Sequence, residues 1–127
     1  MELRYFKHEE FDSPDAKGSG ANMNADFLKL LDEARHIAGV PFRISSGGGF
    51  RTKEYNAELC KRNKHASKTS SHMKGLAADI LVDDSRTRFN ILFALLRCGF
   101  NRIGVANGFI HVDVDEAKTE DLCWTYM

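Results

Sequence analysis

Two stretches of this chain hold residues whose types and spacing could do chemistry. Ser70-Ser71-His72-Met73-Lys74-Gly75-Leu76-Ala77-Ala78-Asp79 carries an imidazole and a carboxylate, and Phe109-Ile110-His111-Val112-Asp113 carries a second imidazole. Together His72, Asp79 and His111 form the ligand set of an open, catalytic zinc site rather than a closed structural one. Three protein ligands leave the fourth tetrahedral position for water, the nucleophile of metal-assisted hydrolysis. From Leu76 the chain alternates, with Leu76, Ala78, Ile80 and Val82 on one face and Ala77, Asp79 and Leu81 on the other. Asp79 therefore falls mid-strand, on a face where a carboxylate needs a partner. Phe109 to Val114 alternates likewise, with Ile110, Val112 and Val114 inward and Phe109, His111 and Asp113 on the opposite face. Gly75 allows the loop carrying His72 to turn tightly into the first strand. Read blandly, these are ordinary strands with stray polar residues. Histidine and aspartate rarely recur on strand faces without a task, and that speaks against the bland reading.

Hydrolysis of this kind also needs a group that takes the water's proton and later hands one to the leaving amine. Asp113 lies two residues beyond His111 on the same strand face, roughly 7 Å away. It has a second reading, as the acceptor for the outer N–H of a ligand histidine. Both readings stand at this level, and Asp115, near the strand end, is a weaker candidate for the base.

The pattern Ser-x-His-x-x-Gly-x-Ala-x-Asp from Ser70 to Asp79, followed by His111 on a late strand, resembles the zinc D-alanyl-D-alanine peptidases and their phage endolysin relatives. These are the M15-type cell-wall peptidases, whose metal-site fold is shared with the hedgehog signalling domain. Ile44-Ser45-Ser46-Gly47, running into Phe50-Arg51-Thr52 and Tyr55-Asn56, is similar to the family's Ser-Gly-Tyr-Arg segment, with extra glycine here. The ending Trp124-Thr125-Tyr126 is similar as well. The resemblance covers most of the chain from about Phe6 onward. It implies one zinc ion held by His72, Asp79 and His111, and a peptidoglycan peptide as substrate. It also implies that Arg51 either holds a substrate carboxylate bidentately or polarises the scissile carbonyl. The alternative for Arg51 is a surface salt bridge. Ser70 either hydrogen-bonds substrate or shapes the turn before His72. Many relatives place the catalytic acid three residues before the last histidine, and here that position is Gly108.

The positioning elements follow from periodicity. Residues 1–21 read as an irregular lead-in closing on Gly18-Ser19-Gly20, pinned to the core by Phe6 and Phe11. Asn22 or Asn24 caps a helix in which Phe27, Leu30, Leu31, Ala34, Ile37 and Ala38 recur at helical spacing, and Gly39 and Pro41 end it. His36 on that helix reads as a surface residue. Phe42 to Ser46 reads as a short strand and Thr52 to about Arg62 as a helix. Lys61 to Lys68 is a basic loop, with His65 facing solvent. Gly47-Gly48-Gly49 lacks the lysine and serine of a phosphate-binding loop. Asp83-Asp84-Ser85 caps a helix whose buried stripe is read as Phe89, Leu92, Phe93 and Leu96, with Ile91 and Leu95 beside it and Gly99 ending it. Asn101 to Ala106 is a strand, and Asn107-Gly108 predicts a type I′ hairpin turn into the His111 strand.

At 127 residues the chain fits one domain, spanning 1–127, with no internal repeat. Eighteen Lys plus Arg against 18 Asp plus Glu leave no net charge to draw nucleic acid or a membrane surface, and the apolar runs are too short to cross a bilayer. The beginning, Met1-Glu2-Leu3-Arg4-Tyr5-Phe6, has no apolar signal region, and the scattered Cys60, Cys98 and Cys123 read as free thiols of a reducing compartment. The expected fold is α+β, a small antiparallel sheet carrying the metal site and packed against two or three helices. A monomer made in the cytoplasm is expected, acting on the cell wall once released or delivered, as a phage-encoded enzyme would be. The leading functional expectation is a zinc peptidase cleaving peptidoglycan bonds that involve D-amino acids, either as carboxypeptidase or as endopeptidase. The alternative is a zinc-containing binding or virion structural module of the same fold without activity, for which Gly108 is the main support.

Overall fold

The computed structural model describes residues 2–63 and 66–126. His65, expected to face solvent, lies outside them. Three helices, α1 (Ala25–Ala38), α2 (Lys53–Arg62) and α3 (Ser85–Arg97), accompany four strands, β1 (Ala77–Leu81), β2 (Arg102–Val105), β3 (Phe109–Asp113) and β4 (Leu122–Thr125). The strands form one sheet in the order β1-β3-β2-β4. β3 lies antiparallel to both β1 and β2, while β4 lies parallel to β2, so the α+β expectation holds with a mixed sheet in place of an antiparallel one. The reason is the return path: after β3 the chain crosses over through residues 114–121 before re-entering beside β2. Asp121 takes a positive φ of 59° at that entry.

Each helix starts where a short polar side chain accepts a backbone N–H: Asn24 from Phe27, Thr52 from Tyr55 and Asp84 from Thr87. Gly39 ends α1 in the left-handed conformation, at φ 69°. The core lies between the helices and the sheet, with Phe27, Leu28 and Leu31 of α1 and Ile91 and Leu95 of α3 against Ile80, Ile110 and Val112. Burying each such side chain contributes about 1.5–3 kcal/mol.

Three local readings are corrected. On α3 the buried residues are Ile91, Ala94 and Leu95, whereas Phe89, Phe93 and Leu96 are exposed. Apart from Asn90, every position from Phe89 to Leu96 is apolar, so two stripes satisfy helical spacing and packing against α1 selects the other one. The turn at Asn107-Gly108 does join β2 to β3, but neither residue takes the positive φ that a type I′ turn demands. The lead-in is also more regular than expected, with 3-10 helices at His8–Phe11 and Ser19–Asn22. It is tied to the site region through Phe50 N–H donating to the Phe11 carbonyl (2.8 Å) and Thr52 Oγ1 donating to Asp15 (2.7 Å).

Candidate metal centre

Cross-strand register brings the chemistry together. Asp79 on β1 pairs with His111 on β3, His111 pairs with Gly104 on β2, and Gly104 pairs with Trp124 on β4. One row across the sheet thus reads Asp79, His111, Gly104, Trp124, all on the face away from the helical core. His72 arrives from a 3-10 turn at Ser71–Lys74, closed by Gly75 at φ 71°. A side chain at Gly75 would run into the Asn22 carbonyl at 2.5 Å, so the turn needs both the conformation and the space that glycine provides.

His72 Nε2 lies 3.3 Å and His111 Nδ1 2.9 Å from Asp79 Oδ1. One ligand atom from each of the three residues lies within 4.8 Å of the others, and all three residues are buried. Both outer nitrogens have acceptor partners. His72 Nδ1 donates to the Gly49 carbonyl at 2.9 Å, and His111 Nε2 donates to Asp113 Oδ2 at 2.7 Å. His72 therefore turns its Nε2 lone pair inward, while His111 lies between two carboxylates, with Nδ1 2.9 Å from Asp79 Oδ1 and Nε2 2.7 Å from Asp113 Oδ2, and would give up its inner proton to take a cation. Such a concentration of acceptors in a buried place fits a cation, and two histidines with one carboxylate suit a transition metal.

Electrostatics agree with the geometry. Burial pushes the His72 pKa below its ordinary value, so that ring stays neutral. Burial would raise the Asp79 carboxyl, but the two imidazoles outweigh it and hold the group well below the usual carboxylate range. For His111 burial acts downward, and hydrogen bonds to Asp113 and Asp79 win and raise it.

The surroundings fix this set. Asp79 Oδ2 faces Arg51 at 3.5 Å, and Arg51 Nε donates to the Gly47 carbonyl at 2.7 Å. Its remaining contacts, to Asn56 at 3.4 Å and Ser70 at 3.5 Å, are long, so the guanidinium is held without its donors being saturated. It is half-buried against the site, not a surface ion pair. Ser70 Oγ accepts from the His72 backbone N–H at 3.2 Å. Asp113 is 1% exposed and bound by Arg102 Nε at 2.6 Å as well as by His111. Burial would raise its pKa, but these partners hold it at about 2. Asp115 accepts from Ser71 Oγ at 2.7 Å and from Lys74 Nζ at 3.0 Å, anchoring the turn that carries His72.

A cleft of about 460 Å³ opens over this face, lined by Arg51, His72, Asp79, His111, Trp124 and Tyr126 among others. Arg102 is the residue that sequence reasoning missed. Its signal was an arginine two positions before Gly104 in a short alternating strand, where register places it beside Asp113. In the sequence, Trp124 and Tyr126 carry no signal beyond the likeness of their ending. The structure sets Trp124 against His111, ring centroids 5.6 Å apart, and Tyr126 against Phe109 at 5.2 Å.

Among solved structures, the crystal structure of Serratia marcescens L-Ala D-Glu endopeptidase ChiX is similar in fold, with a TM-score of 0.55 and 17% sequence identity, over 75% of this chain and 82% of that one. No curated protein sequence matches the chain. The sequence pattern of the family described as peptidase M15 matches residues 4–113, a span that contains all three converging residues together with Arg51 and Asp113. The chain belongs to the peptidase M15 family.

Proposed function

We propose that this protein is a zinc-dependent peptidase that hydrolyses peptide bonds of bacterial peptidoglycan involving D-amino acids, with His72, Asp79 and His111 as the ligands of one zinc ion. The observation that carries this reading is the inward convergence of the three donors, with both outer histidine nitrogens already committed. Zinc in such a site supplies an acidified water and polarises a carbonyl. The peptidoglycan substrate is supported by family membership and by the endopeptidase activity named for the Serratia protein of similar fold. That name favours endopeptidase over carboxypeptidase action.

The chain's own residues divide the remaining work. Arg51, fixed by Gly47 and turned toward Asp79, presents donors to a substrate carbonyl or carboxylate oxygen. Ser70 shapes the His72 turn from beneath Arg51. Asp113 holds His111 in the tautomer that binds metal and is itself held by Arg102. This is the second of its two sequence readings. A carboxylate already carrying His111, Arg102 and the Asp115 N–H, and held at about 2, is a poor proton acceptor for water.

Purified protein incubated with peptidoglycan, with and without a chelator, tests the reading. New amino termini that vanish on chelation and return with zinc support it, and their identity separates endopeptidase from carboxypeptidase action. A second reading, a metal-holding binding or virion module without catalysis, is favoured by one observation. Asp79 and Asp113 are the only carboxylates lining the cleft among the described residues, and Gly108 stands where the family resemblance places the catalytic acid of many relatives. Stoichiometric zinc without cleavage would establish that reading instead.

A further inference from the structure

The crossover between β3 and β4 is pinned to the supports of both histidines. Asp115 accepts from Ser71 Oγ at 2.7 Å and from Lys74 Nζ at 3.0 Å, both on the turn that carries His72. Four residues on, the Thr119 carbonyl accepts from Arg102 Nη1, and the Nε of the same arginine holds Asp113 at 2.6 Å behind His111. Between these anchors the Lys118 N–H donates to the Asp115 carbonyl at 3.1 Å and closes a turn. The Lys118 side chain, carried on that turn, lines the cleft.

Among the described residues, the lysines and arginines lining the cleft are Arg51, Arg102 and Lys118. Arg102 is committed to Asp113 and Thr119, and Arg51 is fixed on the Gly47 carbonyl beside Asp79. Lys118 is bound less closely. Its Nζ stands 3.8 Å from Asp115 Oδ2, beyond hydrogen-bond reach, and its side chain is 28% exposed. Asp115 already serves Ser71, Lys74 and the Ala117 N–H, so two ammonium groups share one negative charge. Glu116 and Glu120 of the same loop are exposed and do not line the cleft. This wall therefore keeps a positive charge in excess, which favours an anion. We propose that Lys118 is a specificity-determining residue that binds a free carboxylate of the substrate, so that the preferred substrate is a peptide with an acidic residue near the cleaved bond. This rests on the peptidase reading above. An ammonium on a flexible stem meets a carboxylate as a point charge. The contact is equally present in bound substrate and transition state, so its loss shows in KM rather than kcat.

The test uses peptidoglycan stem peptides in which each free carboxyl is converted in turn to a carboxamide. Wild type, Lys118→Met and Lys118→Arg are compared on them, with zinc content measured for each protein. In wild type one of the conversions should lower kcat/KM by roughly 10–100-fold, the worth of one hydrogen bond to a charged group, and chiefly through KM. Lys118→Met should bring the ratio between that peptide pair close to one, and Lys118→Arg should keep most of it. Calorimetric affinities of the same pair for chelator-treated protein should follow the same pattern, a readout independent of turnover. Wild type that cleaves every peptide equally well overturns the assignment and leaves the peptidase reading intact. So does a Lys118→Met protein that keeps the wild-type ratio. Wild-type protein that holds zinc but cleaves nothing overturns both, whatever its peptide affinity.

Discussion

The outer nitrogen of His111 donates to Asp113 Oδ2 at 2.7 Å, on the side of the ring away from Asp79. Asp113 Oδ1 accepts from Arg102 Nε at 2.6 Å, so a chain of two charge-assisted contacts runs from β2 through β3 into the candidate metal centre. If Asp113 works through His111, Asp113→Asn should weaken zinc affinity by about 10–100-fold and recover its activity in excess metal. If it were the base, zinc would bind almost normally and turnover would fall by roughly 10²–10⁴-fold. A zinc titration beside a peptidoglycan-cleavage rate on the same variant separates the two, and the geometry predicts the first outcome.

The proposed ligand set makes a direct prediction. His72→Ala and His111→Ala should each lose stoichiometric zinc by elemental analysis, because a two-ligand remnant is a poor site. Full zinc content in both variants would overturn the assignment.

Much of this site was legible because strands have a period of two. Alternation from Leu76 and again from Phe109 put Asp79 and His111 on one face, and the observed register pairs them directly. The helix starts were legible for a similarly local reason, a short polar cap before an apolar run. What stayed hidden depends on tertiary choice. The buried face of α3 is decided by packing against α1, because its run from Phe89 to Leu96 is apolar at every position but Asn90 and offers two stripes. The parallel placement of β4 follows from a crossover that no local pattern announces. Arg102 became meaningful only once register set it beside Asp113.

Arg51 should not tolerate lysine. Its Nε reaches Gly47 while its terminal nitrogens turn to Asn56, Ser70 and Asp79. Lysine keeps the charge but cannot fork to two sides. Arg51→Lys is expected to keep its fold and most of its zinc and to lose activity. Wild-type rates at unchanged thermal stability would remove Arg51 from the substrate site.

The metal-free protein should lose stability in acid through the same network. In the folded chain Asp113 is held at about 2, against an ordinary 3.8. Between those values the unfolded chain binds more protons at this position than the folded one does, so stability falls as pH drops through that window and is fully present above it. Asn at position 113 carries no such proton. Urea unfolding of wild type and Asp113→Asn in the presence of chelator, from pH 5 down to roughly 2, should show a flatter acid limb for the variant. Some slope will remain, because Asp79 is also held well below its usual range. Parallel acid limbs for the two proteins would mean that His111 and Arg102 do not hold the Asp113 charge in solution as the 2.7 Å and 2.6 Å contacts require.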